Sequence, residues 1–215
     1  MRAGTETATN YRCEAASVAG FIQQLAVGYV ARGYRFYVTG CIPHTKNLGA
    51  VDLKLISRYG IDCSKWVRCR RKERGLANVQ YLRYRLFFVI LATPGGHQFF
   101  SEETRIHDIR QTPIQCFGYS VGCYRGTDEN WHPSVRINAA EFKLLREQFL
   151  ALALSRNVDV VARKLQGMGF SPFAPVRNQY RQLLRAINKK RRLQSLEPVG
   201  KEVLPNRRRI VSPFG

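Results

Sequence analysis

Acidic residues are scarce in this chain. It carries 15 Asp and Glu residues against 35 Lys and Arg residues in a length of 215, which gives a formal net charge of +20. Long apolar runs are also missing, because residues 86–92 fall far short of the roughly 20 residues that a membrane-spanning helix needs. The N-terminus lacks the basic and then apolar pattern of a signal peptide, so we expect a cytoplasmic protein.

Several motifs of catalysis and metal binding are absent as well. The six cysteines form no CxxC pair, which disfavours a zinc finger and favours reduced thiols packed as small apolar groups. The sequence contains no GxxxxGK[ST] phosphate loop, no GxGxxG and no HExxH. These absences disfavour ATP hydrolysis, dinucleotide-dependent redox chemistry and zinc hydrolysis, and we expect no cofactor.

What the chain does have is positive charge concentrated in two stretches. Residues 65–85 carry a net charge of +7, and residues 176–215 carry a net charge of +9. Charge this concentrated repels itself and is tolerated most easily beside a polyanion. Nucleic acid is the leading candidate for that partner.

Hydrophobic periodicity predicts an α+β fold. We expect a mostly antiparallel sheet of four or five strands with flanking helices and a C-terminal helical extension. Residues 79–84 and 86–93 form one long strand or two, and the second stretch is apolar enough to be central in the sheet. The predicted elements before the extension are helices over 11–32 and 51–59, and strands over 34–42, 79–84, 86–93, 114–125 and 134–137.

The last third of the chain is predicted to be helical. Asn138 followed by Glu141 is typical of a capping box, and helices are expected over residues 138–153, 158–165 and 176–193. The sequence thus predicts an α+β domain over residues 1–137 and a helical extension over 138–195. Residues 196–215 read as a flexible basic tail, because they hold three prolines and few apolar anchors.

The sharpest binding signal lies in the third of these helices. Its basic residues recur every fourth position and so line one face, and no acidic residue lies between positions 176 and 195. Such a helix can dock through its apolar side while it follows a phosphate backbone, although a solvated surface face is the alternative. The predicted contacts on this side are Arg177, Arg181, Arg185, Lys189 and Arg192, with Arg207, Arg208 and Arg209 in the tail.

Aromatic residues accompany the first basic stretch. Rings next to guanidinium groups suit unpaired bases, which stack on the ring while cations hold the phosphates. The alternative is that the rings belong to the core. The predicted contacts here are Lys65, Trp66, Arg68, Arg70, Arg71, Lys72, Arg74, Tyr81, Arg83 and Arg85.

A catalytic alternative centres on a group of imidazole and carboxylate side chains that follow the predicted central strand, namely His97, Glu102, Glu103, His107 and Asp108. These groups could hold a divalent metal such as Mg²⁺ that activates a nucleophile on phosphate. Further along the chain, the predicted basic helix carries Tyr180.

This layout is similar to that of the HUH endonucleases, the rolling-circle initiators and relaxases. Those enzymes join a histidine-bearing strand of an antiparallel sheet to a tyrosine on a later helix. Their motif places two histidines around one hydrophobic residue, whereas this chain reads His97, Gln98, Phe99, so the resemblance covers topology alone. By analogy with that layout, Tyr180 would be the candidate nucleophile and His97 the metal ligand, but no residue of the family motif carries over to this chain. The alternative function is a metal-dependent nuclease or HUH-like strand transferase acting on single-stranded nucleic acid.

Of these readings we favour a nucleic-acid-binding protein without chemistry of its own. RNA or single-stranded DNA is the favoured ligand, and the protein could then form part of a ribonucleoprotein. A membrane partner is disfavoured, because the basic helix lacks a broad apolar face with Trp or Phe.

Overall fold

The computed structural model describes residues 11–168, 172–204 and 211–214. Within these ranges, seven α-helices and two antiparallel sheets confirm the predicted α+β class. The helices are α1 (Val18–Gln23), α2 (Leu48–Arg58), α3 (Lys65–Glu73), α4 (Phe99–Glu102), α5 (Ala139–Leu152), α6 (Val158–Gln166) and α7 (Ala174–Arg192). The strands are β1 (Phe36–Cys41), β2 (Val79–Tyr84), β3 (Phe87–Ala92), β4 (His107–Asp108), β5 (Ile114–Cys116), β6 (Tyr119–Arg125) and β7 (Trp131–Ile137).

The chain divides into two compact units. The first comprises Met1–Pro113, Gly122–Pro133 and Val211–Gly215, and the second comprises Ile114–Val121 and Ser134–Ile210. The second unit therefore begins before the predicted boundary at residue 138 and includes β5. Strands β6 and β7 each contribute residues to both units.

The four-stranded sheet of the first unit has the order β2-β3-β1-β4. Strand β3 is central, as its apolar sequence predicts, and pairs antiparallel with both neighbours, so that Ala92 faces Phe36 of β1 and Val79 of β2. Its last four residues are buried, which shows that both faces of the strand are covered.

The N-terminal helix begins later than predicted. Ser17 caps α1 by accepting a hydrogen bond from the Gly20 amide at 3.0 Å, so the preceding residues are extended. Ala15 donates a backbone hydrogen bond to the Arg83 carbonyl at 2.8 Å, and this N-terminal segment thereby lies along the open edge of β2. After α1 the chain continues as π-helical Gln24–Tyr29 and 3₁₀-helical Val30–Arg32, and Gly33 ends the run at φ 93° as predicted.

A second hairpin turn divides the predicted strand over residues 114–125. Phe117 and Gly118 both have positive φ, at 50° and 77°, and turn the chain between β5 and β6. Two consecutive positive φ values are the geometry of a tight hairpin turn whose twist matches that of its strands. Strands β5, β6 and β7 then form a three-stranded sheet.

The basic residues 65–73 form a helix, α3, that hydrophobic periodicity did not predict. Ser64 caps it by accepting a hydrogen bond from the Val67 amide at 3.3 Å. The helix has no buried residue, so an apolar stripe, the usual signal for a helix in a sequence, is missing.

A buried ionic network joins three elements of the first unit. Arg83 of β2 has a side chain only 3% exposed, and its guanidinium contacts Asp52 of α2 at 2.9 Å and Glu14 of the N-terminal segment at 2.9 Å. The Tyr81 hydroxyl donates a further hydrogen bond to Asp52 at 2.6 Å. The network therefore ties α2 and the N-terminal segment to β2.

The second unit contains the three predicted C-terminal helices, each confirmed. Asn138 and Asn157 cap α5 and α6 by accepting hydrogen bonds from the amides of Glu141 and Asp159, both at 2.8 Å. Helix α7 begins with Pro175 in its first turn, a position where proline is favoured. Its buried side consists of Val176, Tyr180, Leu183, Leu184, Ile187 and Arg191.

The described parts of the predicted tail are held in place. Val199 is buried, and its backbone amide and carbonyl both bond to the side chain of Asn188 at 2.8 Å. Near the C-terminus, the Pro213 carbonyl accepts a hydrogen bond from the Ala16 amide at 2.9 Å. These hydrogen bonds connect the described parts of the tail to α7 and to the N-terminal segment, and the flexibility of the tail stays a prediction.

We expect Asp52→Ala to lower the free energy of unfolding by about 3–5 kcal/mol, because it leaves the buried Arg83 guanidinium without its enclosed partner. Glu14→Ala should lower the free energy of unfolding by about 1 kcal/mol or less, because the Glu14 side chain is 58% exposed and water screens its ion pair with Arg83. Urea denaturation followed by circular dichroism measures both. Equal losses would show that the network does not depend on the buried carboxylate.

Candidate nucleic-acid interface

The exposed side of α7 is a basic stripe. Arg181, Arg185, Lys189 and Arg192 are exposed, three or four residues apart, on a helix whose other side is buried. A cavity of about 820 Å³ opens along the stripe. It is lined by Arg177, Tyr180, Arg181, Leu184, Arg185, Asn188, Lys189, Arg192, Leu193, Lys201, Glu202 and Leu204.

The basic side chains of this stripe form no ion pair with another described residue. Within the described ranges, Arg185, Lys189 and Arg192 form no ion pair, and Arg181 donates to the Asn178 side chain at 2.9 Å. Glu202 is the acidic residue among those lining the cavity. The stripe and the leucines beside it thus present a cationic, partly apolar groove to a ligand.

Arg177, also predicted as a contact, has a different environment. Its guanidinium donates to the Pro172 carbonyl at 2.5 Å, which fastens the side chain to the chain segment before α7. The residue still lines the cavity. Arg177 therefore helps to shape the groove at its N-terminal end.

The sequence did not distinguish Arg191 from its basic neighbours, but the structure does. Arg191 is fully buried and donates to the carbonyls of Ala153 at 3.1 Å and Ser155 at 2.7 Å, where α5 ends, and to the Glu197 carbonyl. A cation at a helix C-terminus is favoured by the helix dipole. Arg191 therefore holds α7 to α5 and is unavailable to a ligand. One of its terminal nitrogens has no hydrogen-bond partner in the described chain.

Helix α3 has an anchored side and an outward side. Arg68 and Arg71 donate to the carbonyls of Cys63 at 2.6 Å and Gly60 at 3.2 Å, and the Asn78 side chain donates to the Arg68 carbonyl at 2.9 Å. At 100° per residue, the anchoring positions 68 and 71 lie opposite positions 66 and 70. The outward side therefore carries Trp66 and Arg70.

Trp66 is 76% exposed, the largest exposure among the described large apolar residues. Lys65, Arg70, Lys72 and Arg74 are exposed as well, and none of them forms an ion pair with another described residue. Helix α3 thus presents several free cations beside an indole ring.

Two of the predicted contacts on β2 are removed from the surface. Tyr81 is fully buried, and burial together with its hydrogen bond to Asp52 raises its pKa well above the usual range. Arg83 is committed to the ionic network with Asp52 and Glu14. Neither residue can reach a ligand in this structure, because the N-terminal segment covers the edge of β2. Arg85 remains exposed at the β2–β3 turn, with its guanidinium 5.5 Å from the centre of the Tyr84 ring.

The acidic residues of the catalytic alternative have structural partners. Glu102 forms an ion pair with Arg58 at 2.7 Å, and Glu103 accepts a hydrogen bond from the Tyr59 hydroxyl. These contacts fasten the short helix α4 to the end of α2. In the part of the chain that the structure describes, no group of three His, Cys, Asp or Glu side chains is placed to hold a metal ion.

His97 lies close to these residues. Its Nδ1 accepts a hydrogen bond from the Phe99 amide at 3.0 Å, which leaves Nε2 as the protonated nitrogen of the neutral ring. Burial, and then the positive charge of Arg71, hold the pKa of His97 below its usual range. The ring is thus neutral at pH 7 and bonded to the backbone of its own turn.

The environment of Tyr180 does not suit a nucleophile. It lies on the buried side of α7, and its hydroxyl is 3.5 Å from the Met168 carbonyl. Burial raises the pKa of the Tyr180 phenol to about 12, whereas an activated nucleophile needs a lowered pKa or an adjacent base.

Residues 118–122, GYSVG, match the pattern GxSxG. In serine hydrolases this pattern forms a sharp turn from a strand into a helix. Here Ser120 lies within β6, and its hydroxyl accepts a hydrogen bond from the Gln115 side chain at 3.0 Å. The hairpin context therefore excludes a nucleophile elbow.

The chain matches no protein-family model, no curated protein and no solved structure. None of the helices in the described ranges combines the length and hydropathy needed to cross a bilayer. The predicted contacts Arg207, Arg208 and Arg209 lie outside the described residues.

We expect Arg191→Met to lower the free energy of unfolding by about 2–3 kcal/mol, because it leaves the Ala153 and Ser155 carbonyls without a donor. Arg192→Met, one position along, should change stability by less than about 0.5 kcal/mol, since that side chain is exposed. Urea denaturation of the two variants provides the comparison. A large loss in the Arg192 variant would mean that the stripe is structural.

Proposed function

We propose that this protein binds nucleic acid by gripping its phosphate backbone, with RNA or single-stranded DNA as the favoured ligand. The observation that carries the proposal is the exposed stripe of unneutralised cations on α7. From Arg181 to Arg192 the stripe extends about 17 Å along the helix axis. That length spans several consecutive phosphates of a nucleic-acid strand, so cations and phosphates are of similar number.

The exposed residues of α7 also favour a nucleic acid over a membrane. Lipid insertion needs a broad, exposed apolar face, whereas the apolar side of α7 is buried in the second unit. Leu193 is exposed, but it lies just beyond the end of the helix. Counterion release from a phosphate backbone therefore suits this surface better than contact with lipid tails.

Arginine predominates over lysine on the stripe, with three of its four residues. The planar guanidinium grips phosphate with two hydrogen bonds and stacks on bases, while an ammonium group acts as a point charge. Unpaired bases are accessible to stacking, which supports RNA or single-stranded DNA as ligand. An RNA ligand would make the protein part of a ribonucleoprotein.

We expect the double variant Arg181→Glu, Arg185→Glu to bind oligouridylate and oligothymidylate more than about tenfold more weakly than the original chain. The slope of log affinity against log salt should become shallower by about 1.4, because two phosphate contacts are lost on a single strand. Fluorescence anisotropy across a salt series measures both quantities. The series is measured both with and without magnesium, so that magnesium-dependent cleavage can be detected.

A matched control is Lys143→Glu with Arg146→Glu on α5. These residues are exposed and outside the cavity lining, and the net charge changes by the same amount. We expect a much smaller loss of affinity in this variant. Unchanged affinity of the α7 variant for every nucleic acid would refute the proposal. Magnesium-dependent cleavage would instead favour the nuclease alternative with His97, Glu102, Glu103 and Tyr180.

A further inference from the structure

The exposed indole of Trp66 is unusual for a folded protein. Tryptophan is highly buried on average, because its large apolar area is costly to hydrate. Trp66 is nevertheless 76% exposed, and it lies opposite the arginines that anchor α3 to the first unit. Its position is thus set by the anchoring of the helix, which turns the ring outward.

The surroundings of Trp66 are cationic. Lys65 precedes it, and Arg70 lies one turn further along the same face. Five of the nine residues of α3 are basic and one is Glu73, while the neighbouring Val67 is only 39% exposed. A lipid surface needs a broader apolar face than one ring and one valine provide. Charge complementarity favours a polyanion that also carries flat aromatic groups.

We propose that Trp66 is a stacking site for one unpaired base of a single-stranded nucleic acid, with Arg70 and Lys65 contacting the adjoining phosphates. This inference rests on the proposed function and deepens it, because it specifies an unpaired strand as the ligand of α3. Bases in a duplex are already stacked on each other and offer no free face to the indole. A single strand offers both the base and the phosphates beside it.

The experiment follows binding and stacking in the full-length protein. The chain has two tryptophans, so Trp131→Phe leaves Trp66 as the fluorescent reporter. We expect oligothymidylate to quench the emission of Trp66. In the binding assay, Trp66→Ala should lower the affinity for oligothymidylate about 5- to 150-fold. This is the range expected for the loss of one stacked base. Trp66→Phe should restore most of that affinity.

Two controls separate stacking from other effects. An abasic strand of the same length keeps the phosphates but offers no base, and its affinity should be the same for the original chain and Trp66→Ala. Val67→Ala removes a neighbouring exposed side chain that points about 100° away around the helix, and it should leave binding unchanged. Circular dichroism checks that the variants fold. We expect both alanine variants to keep α3 helical, because alanine has a higher helix propensity than valine or tryptophan.

Three results would overturn the inference. Trp66→Ala could leave oligothymidylate binding unchanged while the charge reversal on α7 weakens it, in which case the stacking site fails and the proposed function stands. An equal loss on the abasic strand would show that Trp66 does not act through a base. A blue shift of Trp66 emission with phosphatidylglycerol vesicles, without quenching by oligonucleotides, would assign the face to a membrane. If the original chain binds no oligonucleotide, the proposed function fails as well.

Discussion

The pairing of Arg83 with Asp52 and Glu14 is the contact on which the first unit depends. It joins the edge strand β2 to α2 and to the N-terminal segment, and it satisfies a guanidinium that has almost no access to water. A buried cation without such partners would cost several kcal/mol. Asp52 is thereby committed to the interior, and the exposed Glu14 is committed to the same guanidinium, in a chain that has few acidic residues. Glu102 and Asp108 are likewise paired with the arginines Arg58 and Arg110.

Within the described ranges, Arg70 and Lys72 of α3 and Arg185, Lys189 and Arg192 of α7 form no ion pair with a carboxylate. The buried arginine of the second unit has a different kind of partner. The Arg191 guanidinium donates hydrogen bonds to main-chain carbonyls at the end of α5, whereas Arg83 contacts carboxylates. Arginines of the same charge thus divide into those that hold the fold and those that face solvent. The exposed group on each helix is the part of the charge that a phosphate backbone could neutralise.

Local signals were sufficient for much of the fold. The caps at Asn138 and the apolar spacing that follows predicted the C-terminal helices, because both act within one or two turns of chain. Central strand β3 was recognisable from its continuous apolar sequence. Helix α3 was missed because its stability comes from Ser64 and from contacts made by Arg68 and Arg71, and no apolar stripe reveals it. The turn at Phe117 and Gly118 was missed because a non-glycine residue adopts positive φ there.

The sequence by itself determined the class of fold, the basic stripe of α7 and the excess of positive charge, since these depend on composition and on spacing along one helix. The tertiary structure alone decided which basic residues are accessible. Arg83 is buried because the N-terminal segment covers the edge of β2, and strand alternation cannot show that a distant segment lies there. Trp66 faces outward because Arg68 and Arg71 anchor the opposite side of α3. Exposure is a property of packing between segments far apart in the chain, which periodicity within one segment does not encode.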